Sequence, residues 1–261
     1  MLFPDIILNW IDGKEETAID GEMITKYSPH TGVKISNITR SKSADTQVAI
    51  DVAKKSKQSW SNVPPVKRGY ILHQFCNYIE SHQEELATVV ATETGKSYKE
   101  ALGEVGGAVA LGRFFAGEGQ RLYGKTTTSG QVNKYAMTVR QPCGVAGLIV
   151  AANTPIANIA WKVFPALICG NTVVLKVPED APAVGWLFSK MAHKSGIPKG
   201  ILNVIQGLGK EAGALLAESE DIDVISFTGS TSVGRRIAEV ACKSCLLYTS
   251  PSPRDGLLSR M

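Results

Sequence analysis

Residues 141–182 read "QPCGVAGLIVAANTPIANIAWKVFPALICGNTVVLKVPEDAP". Residues 145–151 are a short, continuous apolar run, residues 171–177 a short strand-like run around Val173, Val174 and Leu175, and residues 155–170 between them open on Pro and close on Gly, the punctuation of a helix. Two apolar strands joined by a helix are neighbours in a parallel sheet buried on both faces. The alternation continues outward: a helix over 182–196, a strand over 201–207, a helix over 210–219, a strand over 223–229 and a helix over 230–241. Right-handed crossovers of this kind place helices on both faces of the sheet, so the expected fold class is α/β, a doubly wound parallel sheet.

Upstream the period is helical. Residues 44–60 repeat Val48, Val52, Ala53 and Trp60 at helical spacing, with Asp45 as the expected cap. Residues 64–95 place Ile71, Phe75 and Ile79 on one face, then Leu86, Val89 and Val90 after a polar break, and Gly95 is the expected stop. A third helix, 98–120, is rich in Gly and Ala and suits close packing. Before these come polar turns around "DGKEE" and "YSPHTG"; after them, 124–141 turns strand-like around Ser129 and Gly130, with Pro142 closing a projecting hairpin. The expected organisation is a helical part over 1–123, a hairpin over 124–141 and a nucleotide-binding core over 142–243.

The chain has 261 residues, 44% hydrophobic and 20% charged, with a formal charge of +4. That is ordinary globular composition, able to bury a core. Its Lys and Arg residues are scattered, which points away from a nucleic-acid groove or a membrane face and toward small-molecule chemistry. No apolar run approaches the roughly 20 residues of a spanning helix, and no basic stretch precedes the short apolar run at the start, so a cytoplasmic protein is expected. Five cysteines, Cys76, Cys143, Cys169, Cys242 and Cys245, are an odd set that reads as reduced thiols. Cys242 and Cys245 form a C-x-x-C pair that no second pair completes, so no metal is expected. Cys143 and Cys169 read as small core residues.

In doubly wound sheets ligands bind where strands run into helix N-termini. The first such end carries Asn153, an amide donor or a helix cap. The second carries Lys176 and Glu179, a solvated ion pair or a carboxylate for ribose hydroxyls. The third has Gly207, Gly209 and Gly213 in "GLGKEAG", one residue off the dinucleotide fingerprint and equally suited to a tight turn. The fourth, "FTGSTSV", runs from Phe227 through Gly229, Ser230 and Thr231 to Val233, where a helix N-terminus favours an anion and Ser230 also suits a cap.

The order of these motifs, with "SGIPKGILNVIQGLGKEAG" and "DIDVISFTGSTSVGRRIA" following residues 141–182, resembles the aldehyde dehydrogenase superfamily from the N-terminus to about Lys243. The resemblance implies a Rossmann-like cofactor domain and oxidation of an aldehyde to a carboxylic acid with NAD, or alternatively NADP, through a cysteine thioester. Asn153 matches the amide that holds the oxyanion, and Lys162 the lysine that follows it, with a supporting or structural role. Lys176 and Glu179 match the pair on the adenosine ribose; an acid there favours NAD by repelling a 2′-phosphate. Gly209, Gly213, Phe227, Gly229, Ser230 and Val233 match cofactor contacts. The hairpin matches the arm of family homodimers and homotetramers. Ala152 stands where the family usually has an aromatic residue, a departure that implies a divergent branch.

The family pattern continues with a glutamate base in a Glu-Leu-Gly-Gly-Lys context and a cysteine nucleophile, which these 261 residues do not contain; Cys242 sits in the helix after the phosphate loop. The last stretch, "CLLYTSPSPRDGLLSRM", resembles translated sequencing-adapter read-through from about Cys245, without a core-forming period or partners for its apolar residues. The expectation is a fragment lacking nucleophile, base and substrate tunnel. Two alternatives stand: a truncated nucleotide-binding or assembly protein, and a part of a related acyl-phosphate reductase.

Overall fold

The computed structural model describes residues 3–244 and 246–249. The chain opens with five short strands, β1 (Ile6–Ile7), β2 (Asn9–Ile11), β3 (Lys14–Glu16), β4 (Met23–Tyr27) and β5 (Lys34–Thr39). Four helices follow, α1 (Ser43–Ser61), α2 (Pro65–Ser81), α3 (Gln83–Thr94) and α4 (Tyr98–Gly117). The hairpin strands β6 (Thr126–Thr128) and β7 (Tyr135–Met137) lead to the alternating part: β8 (Val145–Ile149), α5 (Pro155–Ile168), β9 (Thr172–Lys176), α6 (Pro182–Lys194) and β10 (Leu202–Ile205). A wide π turn, Gly209–Gly213, precedes α7 (Ala214–Glu218), then β11 (Val224–Phe227), α8 (Thr231–Ala241) and β12 (Leu247–Thr249).

The seven-stranded main sheet has the order β12-β11-β8-β9-β10-β2-β3, and β8 to β11 are mutually parallel. Successive side chains leave a strand on opposite faces. Accordingly Val173 and Leu175 of β9 join the core under α2 to α6, while Val174 between them packs with α1, α7 and α8. The larger core is centred on Phe75, whose ring lies 4.8 Å from that of Phe188 and 5.5 Å from that of Phe164. Trp60, fully buried, also donates from its indole Nε1 to Leu167 O at 3.0 Å, so α1 is tied to the end of α5 by a polar as well as an apolar contact.

Several expectations need correction. The segment expected to be helical up to Tyr123 begins with strands, and β2 extends the main sheet by pairing antiparallel with β10 and β3. Asp12 and Gly13, both at positive φ (52° and 76°), make the tight turn between β2 and β3, so an Asp-Gly hairpin signal lay within "DGKEE". Asp45 is not the helix cap. It is the third helical residue and reaches back, accepting from Lys42 N at 2.8 Å and Ile19 N at 2.7 Å. Val48 is exposed, because Ala49, Ile50 and Ala53 carry the buried stripe of α1. Cys143 and Cys169 are exposed, since one precedes β8 and the other ends α5 at the sheet's entry side. Among the described residues Cys76 is the buried cysteine, and burial pushes its thiol pKa up to about 12. Cys242 follows the last residue of α8 instead of lying inside the helix.

Residues 246–249 have partners. Leu246 is buried, β12 pairs in parallel with β11, and Tyr248 donates from its hydroxyl to Gly234 O at 3.1 Å. β12 covers the backbone donors and acceptors on the edge of β11 away from β8, and "LYT" has residue types that suit such an edge. Backbone pairing of this kind asks little of sequence. Cys245 and residues 250–261, which hold the rest of the adapter-like stretch and half of the C-x-x-C pair, lie outside the described residues. β6 and β7 pair antiparallel with Thr126 opposite Met137, and every residue of the two strands is exposed. Among the described residues no helix is long and apolar enough to cross a membrane, and no group of three His, Cys, Asp or Glu side chains is placed to hold a metal ion.

Candidate functional site

Register builds the site. Ile149 of β8 lies opposite Lys176 of β9, Lys176 opposite Ile205 of β10, and Phe227 of β11 opposite Ile149, so four strands end in one row. From β8 the chain steps through β9 to β10 on one side and then returns to β11 on the other. Between β8 and β11 the connections diverge, which is where an open α/β sheet has a crevice. A crevice of about 260 Å³ lies there, between the Gly209–Gly213 turn with α7 and the body of α8. Ile149 and Phe227 form its floor, and Gly209, Gly213, Ala217, Val233 and Ile237 line it, so it is chiefly apolar.

The glycines of this region have different tasks. Gly207 has φ +110° and faces the backbone of Ser41, so the end of β10 can turn only without a side chain. A Cβ on Gly209 would meet nothing within 4 Å, and one on Gly213 would lie an ordinary 3.6 Å from Lys176 Cγ. Gly229 lets the Phe227 ring fold back, since a Cβ would come within 2.4 Å of its Cζ. Ser230 is the cap of α8, its hydroxyl accepting from Val233 N at 3.5 Å. Gly229 and Ser230 line a neighbouring hollow of about 210 Å³ together with Gly234, Arg235 and Tyr248.

Lys176, 2% exposed, sits at the end of β9 beside the crevice. Its ammonium lies 3.5 Å from Glu179 Oε2 and donates to Val177 O. Burial lowers its pKa below the usual lysine value, and the Glu179 carboxylate opposes that fall. The carboxylate itself faces outward, 40% exposed. Behind this loop Lys26 Nζ donates to Asp180 O at 2.7 Å and to Glu93 O at 3.3 Å. The Glu93 carboxyl, fully buried and pushed up to about 8 by that burial, accepts from Ala183 N and Val184 N at 2.9 Å each, so it caps α6 from another part of the chain.

Asn153 lies exposed in the loop between β8 and α5. Its carbonyl accepts from Lys96 Nζ at 3.0 Å, and Lys96 pairs with Glu104 at 2.5 Å. The other Glu104 oxygen accepts from Ile156 N at 2.9 Å and Ala157 N at 3.2 Å. A single carboxylate thus satisfies the first turn of α5, whose own Thr154 makes no cap bond. Lys162, on the same helix and buried, donates to Ser226 Oγ of β11 at 2.6 Å, and burial alone brings its pKa down to about 8.

Lys162 therefore imposes a pH dependence whose sign is set by burial. Below pH 8 the amine is charged in folded and unfolded chains alike, and folding bears the full desolvation cost; between about 8 and its ordinary 10.5 the unfolded chain binds more protons, so stability rises with pH. Lys162→Met in the full-length protein is expected to raise unfolding free energy at pH 7 by about 1–3 kcal/mol and to flatten that rise. Urea unfolding across pH 7 to 10 measures both; a variant that keeps the same slope would show the slope comes from other groups.

The structure brings Gly209, Gly213, Phe227 and Val233 around one crevice and sets the Lys176–Glu179 pair beside Gly213. Gly229 and Ser230 belong to the next hollow, and Asn153 and Lys162 line neither cavity. Lys26, Glu93, Lys96 and Glu104 belong to no motif of the sequence. Glu104 is 52 residues from the amide it caps and Glu93 is 90 from its own, so no local spacing signals them.

The sequence profile of the aldehyde dehydrogenase family matches residues 16–249. A mitochondrial benzaldehyde dehydrogenase of Antirrhinum majus is 35% identical over 239 residues, covering 90% of this chain and 45% of that protein. The NADP/NAD-dependent aldehyde dehydrogenase PuuC of Escherichia coli is 35% identical over 235 residues, covering 89% and 47%. The crystal structure of an NADP-dependent enzyme of E. coli superposes with a TM-score of 0.92 at 32% identity, covering 95% of this chain and 51% of that one. The chain spans about half the length of the curated relatives it matches. With a profile match over most of its length and a sheet that superposes on a solved relative, the chain belongs to the aldehyde dehydrogenase family.

Proposed function

We propose that this chain is the cofactor-binding half of an enzyme that oxidises an aldehyde to a carboxylic acid with NAD, or alternatively NADP. The observation that supports it most is the row of strand ends, with an apolar, glycine-lined crevice at the divergence of β8 and β11 and an outward carboxylate beside it. The residues fit a dinucleotide. The crevice between Gly209, Phe227 and Val233 suits a flat adenine, and Gly209 allows backbone approach. Glu179, its position set by Lys176, would accept from ribose hydroxyls, and the N-terminus of α8 at Gly229 and Ser230 would face the pyrophosphate. Bound NAD(P) would supply the hydride acceptor.

Asn153 would donate its side-chain amide to the oxyanion formed when a cysteine thiolate, matched by no residue here, adds to the aldehyde carbon. Lys162, bonded to Ser226, ties α5 to β11 and so holds the helix that follows Asn153. The exposed hairpin would join subunits into a homodimer or homotetramer, and the compartment proposed is the cytoplasm.

The test is cofactor choice in the full-length protein. Glu179→Gln keeps the shape of the side chain and removes its charge. It is expected to cut the ratio of NAD to NADP affinity about tenfold, the scale of one charge-assisted hydrogen bond together with the lost repulsion of a 2′-phosphate. Titration with each cofactor reads it, and an unchanged ratio removes Glu179 from the ribose site.

A further inference from the structure

Asn158 stands in the first turns of α5, with its backbone N–H donating to Thr154 O at 2.9 Å. Its side-chain Nδ2 lies 3.3 Å from Ala151 O, 3.1 Å from Asn153 Oδ1 and 3.2 Å from Thr154 Oγ1. Which end of an amide is nitrogen follows from its partners. The Ala151 carbonyl can only accept, so the Asn158 atom facing it is the nitrogen. A second NH2 group 3.1 Å away would set donor against donor, so the Asn153 atom there is the acceptor Oδ1, sharing the two Asn158 hydrogens with Ala151 O and Thr154 Oγ1. The chain of assignments starts at a backbone carbonyl and ends at the amide of Asn153.

We infer that Asn158 is a positioning residue that orients the Asn153 amide, holding Oδ1 inward so that Nδ2, with its two N–H donors, is the end presented to the substrate oxygen. The inference rests on the oxyanion role proposed for Asn153. A reversed amide would set the carbonyl dipole of Asn153 against developing negative charge, so the two orientations have opposite effects on the transition state. Packing does not distinguish them, because the O and NH2 ends have nearly the same shape. Lys96, which grips the Asn153 backbone carbonyl, fixes the position of the residue and leaves the amide's rotation to Asn158.

The test is a variant set in the full-length protein, read by kcat, by NAD affinity and by the double variants. Asn158→Asp replaces the donor with an acceptor of the same shape and, near a helix N-terminus, is electrostatically tolerated. It should turn Nδ2 of Asn153 inward and lower kcat about 100-fold with NAD affinity unchanged. Asn158→Leu removes the preference without reversing it and should lower kcat about tenfold or less. In an Asn153→Ala background neither substitution should lower kcat further, since there is no amide left to orient.

Unchanged kcat in Asn158→Asp and Asn158→Leu, with Asn153→Ala impaired, overturns the inference and leaves the oxyanion reading standing. Equal losses with and without the Asn153 side chain also overturn it, since they would mark Asn158 as merely structural. Full activity of Asn153→Ala overturns the oxyanion reading itself. If Asn158→Asp does not fold, because Ala151 O loses its donor, the Asn158→Leu cycle with Asn153→Ala decides by the same non-additivity.

Discussion

Asn153→Ala in the full-length protein is expected to lower kcat about 10²- to 10³-fold, the usual loss for one oxyanion donor. The structure separates this residue from the other tasks of the domain. Asn153 is exposed and lines neither cavity, so truncating it opens no void in the core and removes no surface from the proposed cofactor site. Its backbone stays held by Lys96, and the first turn of α5 stays capped by Glu104. NAD affinity should therefore remain within about twofold and urea unfolding within about 0.5 kcal/mol, the ordinary range for an exposed substitution. Stopped-flow and steady-state kinetics on variant and parent read the result. A variant with normal kcat would place the oxyanion donor elsewhere, and one with lost cofactor affinity would show that the side chain serves binding.

The second large effect separates two glycines that look alike in "GLGKEAG". Gly207→Ala is expected to lower stability by about 3 kcal/mol or more. Its φ of +110° is strained for any L side chain, and the added Cβ would lie 2.8 Å from both N and O of Ser41. Backbone atoms cannot rotate away as the tip of a lysine can, so the clash must displace either the end of β10 or the segment leading into α1. Gly209→Ala, with nothing within 4 Å of the new methyl, should change stability by less than about 0.5 kcal/mol. If the crevice takes a dinucleotide, that methyl projects where the cofactor backbone would approach, and NAD affinity should fall at least tenfold. Urea midpoints and NAD titration of both variants read the contrast. A destabilised Gly209→Ala, or a stable Gly207→Ala, would contradict the geometry.

Where residues cooperate over a few positions, the sequence was legible. The runs 145–151 and 171–177 became β8 and β9 because strands buried on both faces need no polar alternation, and Gly95, at φ +76°, ended α3. Where a short segment depends on a distant neighbour, it was not. β2 is three residues long and exists as a strand because β10 lies beside it. Tyr248 sits opposite Ile225 because β12 lies along the edge of β11, and its hydroxyl donates to Gly234 O of α8. Asp45 lies three positions past the actual cap, Lys42, and its carboxylate also serves Ile19 N, a donor that no helical pattern reveals.

By itself the sequence determined the alternating strands and helices, the strand-end loops that carry Asn153, Lys176, Glu179 and Gly229, and the family resemblance, all of which rest on residue type and short spacing. Only the tertiary structure decided what surrounds those loops. Parallel pairing aligned Ile149, Lys176, Ile205 and Phe227 in one row, and chain reversal between β8 and β11 left the crevice beside them. Folding also brought Glu104 and Glu93 to the starts of α5 and α6. The reason is physical: a buried amide or carboxylate must find a partner wherever in the chain one exists, and that partner is chosen by packing in three dimensions.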